Sequence, residues 1–173
     1  MNPLRTLLYF PLLTAGLIAV AAPSLAGAAP PQVSIRSLSE LSVPGTPYDT
    51  SADADRDVAR AFAQARTENK RVLIDLGGNW CGDCRVLAGI MELPEVKHFI
   101  DAHYVVVAVD VGRFNRNLQI PARFGITQRL EGVPSVLIAD PQGTLINAGH
   151  TAALADARSM SPQDIVNWLA SWA

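Results

Sequence analysis

Segments whose apolar residues recur at helical spacing alternate along this chain with short runs that are almost wholly apolar. From Asp53 to Asn69, apolar or small residues stand at Val58, Ala61, Phe62 and Ala65, and the acids Asp53, Asp55 and Asp57 crowd the start. Acids at the front of a helical period complement the helix dipole, so the segment is predicted to be an amphipathic helix. Arg71 to Leu76 (RVLIDL) reads as a buried strand interrupted by one carboxylate, Asp75. A Gly77-Gly78-Asn79 loop leads through Trp80 to Cys81, Cys84 to Met91 reads as helix, and Pro94 restarts a second helical piece from Glu95 to Ala102. Tyr104 to Asp110 (YVVVAVD) is dense in β-branched residues and is predicted as a central strand.

Further on, Gly112 to Asn117 is a polar loop and Leu118 to Phe124 a short helix. Pro134 to Ala139 (PSVLIA) is a strand, Asp140-Pro141-Gln142-Gly143 a turn, and Thr144 to Ala148 is expected to return as a hairpin. Ser161-Pro162-Gln163-Asp164 combines an N-cap, a proline at the first helical position and an acid in the first turn. The helix it opens passes Ile165, Trp168 and Leu169 towards Trp172. Helices alternating with strands, then a terminal hairpin, give an α/β domain: a central mixed β-sheet flanked by helices on both faces.

The first residues break this pattern. Arg5 precedes an apolar run from Leu7 to Ala22 that closes in small residues, Ser24-Leu25-Ala26-Gly27-Ala28-Ala29. A basic start, an apolar centre and an A-x-A-like close mark a secretory signal peptide, with cleavage after Ala26 or Ala28. The run approaches the roughly 17–25 residues of a membrane span, but Pro11 and Pro23 interrupt or bound it. Residues 1–26 are therefore expected to be a signal peptide, 27–52 a linker or extended arm rich in Pro, Ser and Gly, and 53–173 the folded domain. The expected location is the periplasm, with membrane contact only through the signal segment if it is retained.

The chain has 173 residues, 49% of them hydrophobic and 17% charged, enough for one domain with a modest extra segment. A net charge of -2 supplies no field for gathering phosphate backbones, so a nucleic-acid partner is not expected.

Cysteine usage sharpens the picture. Cys81 and Cys84 are the only two. Two intervening residues make a poor structural staple, because a disulfide stabilises mainly by closing a long loop of the unfolded chain. Zinc would need two more ligands, and His98, His103 and His150 stand singly, so neither a metal nor another cofactor is expected. The pair suits switching between dithiol and disulfide. Cys81, placed just before a helix, faces unsatisfied N–H groups and the positive end of the helix dipole, which favours the attacking thiolate. Cys84, one turn further in, is expected to be shielded and to act second. Asp83 between them opposes thiolate formation while suiting the helix start.

Trp80-Cys81-Gly82-Asp83-Cys84, followed some fifty residues later by Val133-Pro134, resembles the thioredoxin superfamily. The resemblance spans Asp53 to Trp172 and implies a thioredoxin-like fold. It implies that Asp75 is the acid under the active site, and that Pro134 is a cis-proline beside which Val133 receives an extended substrate segment. Trp80, Gly82 and Asp83 join these as expected substrate contacts. More narrowly, LIDLGGNWCGDCRVLAGIMELPEVKHFI resembles the C-terminal periplasmic domain of the transmembrane thiol:disulfide interchange reductases. Two family features are missing: Asp83 stands for the usual proline of the motif, and Val106 stands where a lysine often accompanies the buried acid.

The function that follows is an exported thiol–disulfide oxidoreductase that reduces disulfides in cell-envelope proteins, supplied with electrons by a membrane donor. An oxidase or isomerase of the same fold would use the same residues. A non-catalytic thioredoxin-like binding module would hold an inert disulfide. Arg113, Arg116, Arg123 and Arg129 read mainly as a solvated face, with some capacity for a docking patch near the cysteines. Trp168 and Trp172 read as packing.

Overall fold

The computed structural model describes residues 28–173, so the signal segment lies outside the described residues. The elements in chain order are α1 (Ala54–Glu68), β1 (Arg71–Gly77), α2 (Gly82–Met91), α3 (Pro94–His103), β2 (Tyr104–Asp110), α4 (Gln119–Ala122), β3 (Ser135–Ala139) and α5 (Pro162–Ser171). Their starts follow the local chemistry. Asp53 caps α1 by accepting the Arg56 N–H at 3.0 Å, and Ser161 caps α5 by accepting that of Asp164 at 3.1 Å. Asn69 ends α1 in the left-handed region, at φ 52°.

The sheet has the order β2-β1-β3, with β1 parallel to β2 and antiparallel to β3. This is the mixed sheet that the alternation predicted. Alternate residues of β1 point to opposite faces. Val72, Ile74 and Leu76 pack with Val58, Ala61 and Ala65 of α1 and with Ile120 of α4. Leu73 packs on the other face with Leu87 and Ile90 of α2, Ile100 of α3 and Ile165 and Leu169 of α5. Each fully buried Leu or Ile contributes roughly 1.5–3 kcal/mol, so the two cores hold the helices to both faces of the sheet.

Three expectations need correction. β2 is an edge strand, and β1 is the central one. The β-branched run specifies a strand without specifying its neighbours, and Val106, 40% exposed, marks the open side. The predicted hairpin at Thr144–Ala148 is reduced to a single bridge between Leu145 and Ala139. There a side chain completes what remains of the ladder: Ile146 N–H still donates to Ile138 O at 2.8 Å, while Ile138 N–H donates to Asn147 Oδ1 at 2.9 Å and Asn147 Nδ2 donates to Val136 O at 2.8 Å. The helix foreseen from Leu118 to Phe124 shortens to one turn, and Gly125 at φ 80° follows it.

The segment before α1 lies against the domain. Val33 N–H donates to Gln163 Oε1 and Gln163 Nε2 to Pro31 O, each at 3.1 Å, which fastens the arm to α5. Arg85 Nε donates to Pro44 O at 2.8 Å. Gly89 on α2 permits this path, since a methyl group there would lie 2.8 Å from Ser42 O. The arm thus reaches the carboxyl end of β1 with Tyr48 buried. No described helix is long and apolar enough to cross a membrane.

Candidate active site

The carboxyl end of the central strand hands over to α2 through Gly77–Trp80, the position where reaction sites gather in open α/β sheets. Cys81 caps α2, its Sγ accepting the Cys84 N–H at 3.1 Å. A sulfur held on a first-turn amide is stabilised as thiolate. Cys81 and Cys84 form a disulfide. Cys84 is fully buried, while Cys81 keeps 4% exposure. An incoming sulfur therefore meets Cys81 first.

Val133 and Pro134 face the pair. Their peptide bond is cis, and Val133 O lies 3.3 Å from Cys81 Sγ. Trp80, 44% exposed, flanks the cysteines and donates its indole N–H to Gly112 O at 2.7 Å. Asp110 organises this neighbouring loop, taking the Gly112 N–H at 3.2 Å and pairing with Arg116 at 3.0 Å.

The arginines divide. Arg116 and Arg123 are tied to Asp110 and Asp55, whereas Arg113 sits 5.0 Å over the Trp80 ring and Arg129 4.5 Å over Phe114.

Asp83 has a partner that no local pattern announced. Its Oδ1 accepts the Arg158 N–H at 2.9 Å, and its Oδ2 meets the Arg158 guanidinium at 3.1 Å. The Asp83 carboxylate beside Cys81 is thus paired with an opposite charge. The same guanidinium covers Gly82, where a methyl group would lie 3.2 Å from Arg158 Cδ and Nε.

Asp75 is buried under the cysteines. Tyr48 donates its hydroxyl to Asp75 Oδ2 at 2.8 Å, and Asp75 Oδ1 has no hydrogen-bond partner. Burial pushes the carboxyl up to about 7, although the tyrosine bond acts the other way. The acid lines a cavity of about 350 Å³ with Pro47, Ala88, Val106 and Ala108. No cation reaches it from β2. Lys97 on α3 also lines the cavity and is paired with Asp101 at 2.9 Å.

Tyr48 is fixed by Asn79, whose Oδ1 accepts the Tyr48 N–H and whose Nδ2 donates to Tyr48 O, both at 2.9 Å. Tyr48, Asn79 and Arg158 are the site residues that sequence reasoning missed. A lone aromatic in a Pro- and Gly-rich arm was the one available signal for Tyr48. Among the described residues no cluster of His, Cys, Asp or Glu could hold a metal.

Known proteins resemble this chain in sequence and fold. A thioredoxin from Alicyclobacillus acidocaldarius subsp. acidocaldarius is 35% identical over 65 residues, 38% of this chain. The match spans 57% of that curated relative. The crystal structure of a disulphide isomerase from Xylella fastidiosa Temecula1 superposes with a TM-score of 0.66 at 36% identity, covering 72% of this chain and 94% of that one. The narrower likeness to transmembrane reductases rests on the motif segment alone. The thioredoxin-like family model matches residues 53–141, which run from the cap of α1 past the cysteine pair and the cis-proline to the end of β3, and the chain belongs to that family.

Proposed function

We propose that the protein is an exported thiol–disulfide oxidoreductase that reduces disulfides in cell-envelope proteins. The observation that carries this reading is Cys81 capping α2 opposite Val133, with Cys84 buried behind it. In the reduced state the Cys81 thiolate attacks a client disulfide. A bond forms between Cys81 and one client sulfur, and the other leaves as thiolate and takes a proton. Cys84 then attacks Cys81, the second client sulfur leaves, and the client has gained two electrons and two protons. The protein is left as the disulfide, so each round requires a dithiol donor, for which a membrane reductase is the natural source.

The charges beside Cys81 support the reducing direction. A strongly oxidising pair needs a heavily stabilised thiolate. Here Asp83, inside the motif, is paired with the opposite charge of Arg158, leaving the helix start and the Cys84 amide as the stabilising influences. Substrate contacts fall to Trp80, Gly82, Val133 and Pro134, with Arg113 and Arg129 stacked alongside. Export to the periplasm rests on the segment 1–26.

The likeness to a disulphide isomerase favours a second reading, in which the same dithiol reshuffles client disulfides without net reduction. The deciding experiment equilibrates the Cys81–Cys84 pair against glutathione. A potential near the thioredoxin value of about -270 mV supports reduction, whereas one near about -120 mV overturns it in favour of an oxidase. A pair that never exchanges leaves a binding module. Recovery of a scrambled client without consumption of a dithiol would establish isomerase action.

A further inference from the structure

We propose that the Tyr48 hydroxyl carries the proton between Cys84 and Asp75. This deepens, and rests on, the exchange chemistry proposed above. Tyr48 donates to Asp75 Oδ2 at 2.8 Å. A methyl group on Gly77 would collide with the Tyr48 hydroxyl and lie 2.9 Å from Cys84 Sγ, so the hydroxyl and the buried sulfur flank the same point. The glycine that ends β1 leaves the space between them free of a side chain. Asn79 holds the tyrosine backbone with two hydrogen bonds, which fixes the hydroxyl although it comes from the arm.

A phenol has one proton to give and lone pairs with which to accept another. The Cys84 S–H proton passes to Tyr48 Oη as the tyrosine's own proton passes to Asp75 Oδ2. Tyrosine is neutral before and after, and the negative charge moves from Asp75 to Cys84. The Cys84 thiolate attacks the Cys81 sulfur of the mixed disulfide, the Cys81–Cys84 bond forms, and the client thiolate leaves to be protonated by solvent. In the opposite direction every transfer reverses. Burial, together with Asp75 and Asp110, raises the Tyr48 phenol far above its ordinary range, so it relays the proton without ionising. Asp75, near 7, can take and release the proton close to neutrality. The other groups facing Asp75 lie across its cavity: Glu92, Lys97 and Asp101, the last two paired.

The test is single-turnover reaction of the reduced full chain with oxidised glutathione, resolving mixed-disulfide formation at Cys81 from its release by Cys84. In Tyr48→Phe, formation should be unchanged and release slower by roughly 10²-fold, the low end for lost proton transfer. The pH inflection of release should also move upward, because Asp75 loses the bond that holds its pKa down. That shift reports the hydrogen bond to Asp75, whereas the slower release and its non-additivity with Asp75→Asn report the relay. Tyr48→Phe/Asp75→Asn should release no more slowly than Asp75→Asn alone, since both act in one path. Gly77→Ala, which keeps the tyrosine but drives hydroxyl and sulfur apart, should show the same slow release and serves if Tyr48→Phe fails to fold. Wild-type release in Tyr48→Phe, or additive losses in the double variant, would overturn the relay. A wild-type pair that does not exchange with glutathione would instead overturn the functional reading itself.

Discussion

Arg158 grips Asp83 with both its backbone N–H, at 2.9 Å, and its guanidinium, at 3.1 Å, one residue from the buried Cys84. The pair replaces the rigid, neutral proline usual in the motif with two charges that offset each other. Arg158→Ala should therefore expose the Asp83 charge, raise the Cys81 pKa and lower the reduction potential. Asp83→Asn and Asp83→His should raise the potential. The guanidinium side is mostly exposed, so solvent screens the pair and the shifts should be small, read as displacements of the equilibrium against glutathione. Shifts of the opposite sign would show that the pair acts through helix geometry rather than charge.

The two cysteines differ in access, and the difference sets their order. Cys84→Ser should accumulate mixed disulfides with client proteins, visible on non-reducing gels. Cys81→Ser should trap almost none, because Cys84 is fully buried. Equal trapping by both variants would refute the assigned roles.

Asn147 substitutes for a missing strand by bonding to the backbone of both Val136 and Ile138. Asn147→Ala should leave a buried N–H and a buried carbonyl unpaired, each costing roughly 1–3 kcal/mol. Equilibrium denaturation should report a loss of about 2 kcal/mol or more. A change below about 0.5 kcal/mol, the size of an ordinary surface substitution, would mean that water takes over both bonds.

What could be read from the sequence is what the chain encodes locally. The cysteine spacing, the carboxylate inside RVLIDL and the proline opening PSVLIA each announce themselves within a few residues, and the structure brings all three to one end of the sheet. Arg158 lies 75 residues from Asp83, and Tyr48 lies 27 from Asp75. No periodicity or spacing links such pairs, since only the completed fold brings them together. Strand position was hidden for the same reason: YVVVAVD states its preference for extended backbone, while its place at the edge depends on what pairs beside it. The hairpin is cut to one bridge because an asparagine side chain can imitate a strand's hydrogen bonds without strand geometry.

Asp75 gives the protein a pH-dependent stability whose sign follows from its burial. Its carboxyl titrates near 7 in the folded chain, against an ordinary 3.8, because burial outweighs the Tyr48 hydrogen bond. Between about pH 4 and 7 the native state therefore holds a proton that the unfolded chain has released, and stability falls as pH rises through that window. The loss is complete above pH 7 and amounts to roughly 4 kcal/mol, at about 1.4 kcal/mol per pKa unit. Asp75→Asn cannot ionise, so its stability should be nearly flat over the same range. At pH 8 the variant should exceed the wild type, less the roughly 1–3 kcal/mol that an imperfectly paired buried amide costs. At pH 4.5 that advantage should vanish or reverse. The same substitution should slow the release of mixed disulfides by roughly 10²-fold or less, because Cys84 loses its proton acceptor. Urea unfolding at pH 4.5, 6 and 8, paired with release rates, checks both effects. Parallel stability profiles for the two proteins would mean that Asp75 is not shifted, and unchanged rates from pH 6 to 8 would confine it to a structural role.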